Sequence, residues 1–204
     1  MKYNRQGDLQ INAPHTMSQS VIDGFITEKY AWIKSQQNKI KNLPSIKLPT
    51  YTNNERHEFM GASYKLQLVQ SNQSQVILKP EEMLVFHRKN SSIKNILDSW
   101  YKQQSLEYLT ERTYELAEKF NFPKIRSIKV RKMRARWGSC SSLSDITYNI
   151  HLIKTSNECI DYVIIHELCH LIHPNHSRNF YQLQTQLNPQ WKTQKQLLNQ
   201  TVLS

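Results

Sequence analysis

Val21, Ile22, Phe25, Ile26, Trp32 and Ile33 recur at helical spacing, with Ser18 or Ser20 placed to cap one early helix. The period then shortens to two. Residues 61–68 alternate as a half-buried strand, and 75–78 and 83–86 are apolar runs of strand length. After Ser91-Ser92 the helical period returns through Ile93, Ile96, Leu97, Trp100, Tyr101, Tyr108, Leu109, Leu116 and Phe120, and Asn121 and Pro123 end it. Residues 126–131 alternate as a strand, and Ile146, Tyr148, Ile150 and Leu152 share one face of another. The small, polar residues 138–145 between them predict a hairpin with a long loop. The change of character near residue 90 predicts a strand-rich N-terminal region with one early helix over 1–90, and a second region, 91–204, that carries the chemistry.

That chemistry starts at His166-Glu167-Leu168-Cys169-His170, an H-E-x-x-H motif. Its setting predicts a helix. Thr155 to Glu158 reads as a capping box with Thr155 as N-cap, and Ile160, Val163, Ile164, Leu168 and Leu171 form a buried stripe. His166 and His170 then stand one turn apart on another face, where two imidazoles can meet one metal. Glu167 is rotated about 100° from His166, so it suits a general base toward an activated water better than a third ligand. Catalytic zinc usually takes three protein ligands. His173 lies two turns beyond His166 along any continued helix. His176 follows Pro174-Asn175, where the chain can fold back, and geometry favours it.

The wider set of residues is more specific than the motif. Arg136-Trp137-Gly138-Ser139-Cys140, then Tyr148-Asn149, then 161–171 with the histidine pair, then Asn175-His176-Ser177-Arg178-Asn179-Phe180, resembles the YgjP-type metallohydrolase family. That family is described as metallopeptidase-like and distantly related to SprT-like zinc proteases. The likeness is close from about 124 to 191 and looser upstream, through Ala13-Pro14, Trp32-Ile33, Gly61 and Tyr64. It implies an α+β fold: a zincin-like core with a small antiparallel sheet and the motif helix, preceded by the strand-rich N-terminal region. It also supports His176 as third ligand and a metal-dependent hydrolase as the activity.

Charge adds a substrate hint. The chain has 204 residues with 27 Lys and Arg against 16 Asp and Glu, a formal net charge of +11. Seven of these cations fall between Lys124 and Arg136. Alternation puts Lys132, Arg134 and Arg136 on one strand face leading to the Trp137-Gly138 turn. Arg134, Arg136 and Asn149 are therefore candidate substrate contacts, the plain alternative being a solvated face and a tied-down hairpin. Buried, inert roles are favoured for Cys140 and Cys169, and packing for Tyr162.

The leading expectation is a zinc-dependent metallopeptidase with Glu167 as base and a peptide or anionic substrate. The alternatives are a nucleoside triphosphate pyrophosphatase, or a DNA-associated zinc protease that meets nucleotide or nucleic acid through residues 124–136. Histidine ligands favour zinc, while other divalent transition metals also accept imidazole. Three cysteines without a Cys-x-x-Cys pair, no apolar run near ~20 residues and no apolar leader predict a cytoplasmic protein with no membrane association.

Overall fold

The computed structural model describes residues 2–3, 9–41 and 49–200. The chain forms two compact units, Met1–Lys47 and Leu48–Ser204. In the first, strands β1 (Lys2–Tyr3) and β2 (Leu9–Gln10) pair antiparallel, and helices α1 (Gln19–Glu28) and α2 (Tyr30–Lys41) follow. The single early helix predicted from sequence is thus two. The break falls at Lys29, whose φ of −91° and ψ of 6° leave the helical region. Ser18 is the N-cap of α1.

The second unit begins with a four-stranded sheet of β3 (Arg56–Phe59), β4 (Ala62–Gln70), β5 (Gln75–Lys79) and β6 (Glu82–His87), in the order β3-β4-β6-β5. β4 and β6 are parallel and the outer pairs antiparallel. Met60 and Gly61, with φ of 49° and 77°, form the two-residue turn between β3 and β4. Positive φ at both central residues is what a tight hairpin turn needs. The turn also docks: Met60 N donates to Ile153 O at 2.7 Å, and a Cβ on Gly61 would sit 2.9 Å from Ser156 Cα.

Helix α3 (Ile93–Lys119) is the spine of this unit. Ser92 caps it by accepting from Asn95 N, and Asn121 turns the chain away at φ 52°. Its buried stripe includes Leu97, Tyr101, Leu109 and Leu116. Its polar groups reach outward along the same face. Tyr101 Oη donates to Glu58 O at 2.8 Å, Ser105 Oγ donates to Ile150 O at 3.0 Å, and Thr113 Oγ1 lies 3.0 Å from Tyr148 Oη. Arg112 grips Asp161 with two bonds of 2.8 and 2.7 Å.

The second sheet holds β7 (Ser127–Arg131), β8 (Gly138–Cys140) and β9 (Asp145–Asn149), in the order β7-β9-β8. Here the predicted hairpin is corrected: β7 and β9 pair parallel, and β8 pairs antiparallel with the other edge of β9. The stretch read as a loop contains a strand of its own, and a parallel pair needs just such a long crossover. β7 ends at Arg131, so Lys132, Arg134 and Arg136 do not share a strand face.

A short 3₁₀ turn, Ile150–Lys154, leads to α4 (Asn157–Cys169), then α5 (Arg178–Leu187) and α6 (Trp191–Gln200). The cap of α4 is Ser156, one residue later than the capping-box reading. Its side chain accepts from Cys159 N, while Thr155 Oγ1 donates back to Leu152 O at 2.8 Å. The class is α+β. Leu66, Met83, Leu97, Leu109, Ile146, Tyr148, Leu152, Ile160, Ile164, Leu168 and Phe180 are fully buried, each side chain contributing about 1.5–3 kcal/mol. Among the described residues, no helix is long and apolar enough to cross a membrane.

Candidate metal centre

α4 carries His166 and Glu167 in its last turn, and His170 is its C-cap residue. The chain then turns through residues 171–176 and enters α5 at Ser177, whose side chain accepts from Phe180 N. This reversal brings His176 back over the helix. Each of His166, His170 and His176 offers one ring nitrogen, and the three nitrogens lie within 4.8 Å of one another. His166 Nε2 and His176 Nε2 are 3.0 Å apart. Two nitrogens bound tetrahedrally to one zinc stand about 3.3 Å apart, so the set fits such an ion with small adjustments.

The tautomers fit as well. His170 Nδ1 lies 3.1 Å from His173 O, and His166 Nδ1 lies 3.1 Å from Gln184 Oε1. A carbonyl acceptor at Nδ1 keeps the proton there and leaves the Nε2 lone pair free for a metal. Burial holds His166 down at about 4, with His170 and His176 adding to the effect, so its ring is neutral. Phe180, fully buried, packs against all three rings with centroids at 4.7–5.0 Å. His173 therefore takes part through its main-chain carbonyl.

Glu167 is only 4% exposed. Burial pushes its carboxyl up to about 8, with Arg136 pulling the other way. Gly138 faces it from β8: a Cβ there would lie 2.5 Å from Oε1. Arg136, Trp137 and Gly138 form one wall of a cavity of about 330 Å³ that also takes in His166, Glu167 and His176. Tyr162 and Val163 of α4, Tyr181 of α5, and Lys195, Leu198 and Asn199 of α6 complete it.

Of the candidate substrate contacts, Arg136 lines this cavity; Arg134 is exposed and does not. Asn149 is fully buried beneath the loop. Its Nδ2 donates to Met133 O at 2.8 Å and Arg136 O at 3.0 Å, and its Oδ1 accepts from His151 N at 3.2 Å. It thereby fixes the backbone that carries Arg136. Burial raises the Cys140 thiol to about 11, Cys169 to about 12 and the Tyr162 phenol to about 12. The Tyr162 ring packs beside His166, with centroids 6.0 Å apart.

Sequence reasoning missed Gln184, Tyr181 and Lys195. The signal for the first was present: Ser177 as a helix cap puts Phe180 and Gln184, four apart, on one face. Lys195 arrives from a separate helix and left no such mark.

A family model described as YgjP-like, metallopeptidase domain, matches residues 1–201. No curated protein matches the chain. Two solved structures do: the metallopeptidase zymogens jannalysin of Methanocaldococcus jannaschii and abylysin of Pyrococcus abyssi. Each is 18% identical with a TM-score of 0.41, covering 45% and 44% of this chain and 94% and 90% of theirs.

Proposed function

Because the chain belongs to the YgjP-like metallopeptidase domain family and is a metal-dependent hydrolase of peptidase type, we propose that His166, His170 and His176 hold a zinc ion and that Glu167 is the general base of peptide-bond hydrolysis. The observation that supports this most is the convergence of three ring nitrogens, two of them oriented by carbonyl acceptors, beside one buried carboxyl.

When bound, the dication supplies Lewis acidity that makes a water acidic and polarises a carbonyl oxygen, and its charge favours ionised Glu167. Glu167 is held away from bulk water, which makes its carboxylate a stronger base than an exposed one. It takes the proton of the attacking water and later delivers it to the departing amine. Arg136, anchored through Asn149, puts a cation at the cavity wall where negative charge develops on the carbonyl oxygen. Gly138 leaves room for the Glu167 carboxylate, and Val163 and Leu198 give the cavity apolar surface for a substrate side chain.

The test is Glu167→Gln measured for both zinc content and hydrolysis of a casein-type substrate. Retained zinc with activity reduced by about 10²–10⁴-fold is expected; full activity would remove Glu167 from the mechanism. A second reading, hydrolysis of a phosphoanhydride, is favoured by Arg136 and Lys195 lining the same cavity. Release of phosphate or pyrophosphate from nucleoside triphosphates, absent in Glu167→Gln and exceeding peptide cleavage in the wild type, would select it.

A further inference from the structure

A second cavity, of about 400 Å³, lies among α3, β7 and the 150–154 turn, and shares no lining residue with the metal cavity. Its charge is lopsided. Lys102, Arg131, Lys132 and Lys154 line it with a single carboxylate, Asp98, and that carboxylate is held by Lys94 at 2.5 Å. Among the described residues none of the four cations has an ion-pair partner within 4.0 Å.

The inner groups are the more telling. Lys154 is half-buried, with its ammonium 4.4 Å above the Tyr101 ring centroid. Burial pulls that ammonium below its usual range despite Asp98, and Lys132 adds to the effect. Beside it, both ring nitrogens of His151 are buried without a hydrogen-bond partner among the described residues. Buried polar atoms left without partners are costly and uncommon. A cationic group under-satisfied beside them in one concave site is the counterpart of a missing anion.

We propose that this cavity binds a phosphate group, free or carried on a small molecule. Lys102, Arg131 and Lys132 are exposed and meet its charge at the rim; Lys154 and His151 supply donors further in. Several cations converging on one ligand suit a dianion with many acceptor oxygens better than a single carboxylate. Val130, Ile150 and Tyr101 give the walls apolar surface for the body of a phosphate ester. The cavity's size is that of a small-molecule site.

The test uses the full chain stripped of metal, in ~0.15 M salt so that long-range attraction is screened. It is titrated calorimetrically with inorganic phosphate, pyrophosphate and ribose 5-phosphate. Binding of at least one is expected, and the relative affinities of phosphate and ribose 5-phosphate tell the free ion from the ester. Arg131→Gln with Lys132→Gln should weaken it about tenfold or more. Lys124→Gln with Lys129→Gln removes equal charge outside the cavity and should leave it within about twofold. Lys154→Met should abolish it; if that variant fails to fold, the exposed pair decides. Equal losses in the two double variants would show bulk charge alone. Loss in His170→Ala with His176→Ala would move the ligand to the metal cavity. No binding of any of the three would also overturn the proposal.

Discussion

Gly138 and Glu167 are pressed together: a methyl group on Gly138 would lie 2.5 Å from Oε1 and 2.8 Å from Cδ and Cγ of Glu167. Gly138 is also paired with Tyr148 in the β8–β9 ladder, and Tyr148 is fully buried, so the strand cannot retreat without disturbing the core. The conflict must be relieved on the glutamate side.

Gly138→Ala is therefore expected to displace Glu167 while sparing the histidines. Hydrolysis should fall by about 10²-fold, the scale of a 1 Å misplacement of a catalytic group, and stability by about 1–3 kcal/mol from overpacking. Zinc content should stay near that of the wild type. Kinetics, elemental analysis and thermal unfolding of one preparation check all three; unchanged activity would mean that Glu167 has slack the structure does not show.

His176 and His173 should respond oppositely to truncation. His176 offers Nε2 to the cluster, while His173 offers only its main-chain oxygen to His170 Nδ1. His176→Ala is expected to lose most of its zinc, and His173→Ala to keep it, because alanine retains the carbonyl. Equal zinc in the two purified variants would show that the third ligand lies elsewhere.

Stability should fall in acid through buried histidines. Burial holds His151 down at about 4, with Lys154 and Lys132 adding to it, against an ordinary value of 6.5, and burial also lowers His57. Between about 4 and 6.5 the unfolded chain takes up a proton at His151 that the folded chain refuses. Stability from this group is thus complete above 6.5 and lost as pH falls toward 4. Over that window the Tm of metal-free wild type should fall relative to that of metal-free His151→Leu, in which Glu167 and the other histidines still titrate. The His151 ring nitrogens have no partners to leave behind. Parallel curves for the two proteins would place the acid sensitivity in other groups.

The residues that follow one local rule were legible in the chain. The long period of α3, the alternation of β4, and the i, i+4 spacing of His166 and His170 each express a single element's geometry. Pairing between elements was not. Nothing in 126–131 or 145–149 says whether they run parallel, because alternation reports which face is buried and not which neighbour is adjacent. Asn149 shows the same limit at one residue. Its place opposite Tyr148 suits a group that meets substrate and one that ties down the backbone equally well. Only the folded crossover shows that Met133 and Arg136 occupy all that its amide can donate. Lys195 reaches the site from a helix whose docking no local pattern encodes.

The parallel pairing of β7 with β9 has a consequence for how such an enzyme can diversify. Two parallel neighbours oblige the chain to travel from the end of one to the start of the other, and that journey, residues 132–144, passes over the cavity as Arg136, Trp137 and Gly138. The sheet's register is fixed by Ile146, Tyr148 and Val130 in the core, none of which belongs to the crossover. Substitutions at its exposed positions Arg134 and Ala135 can therefore alter the approach to that wall without shifting the strands. At Arg134 and Ala135 a lineage can explore new substrates with little risk to the fold, whereas Gly138, in the ladder and against Glu167, answers to both demands.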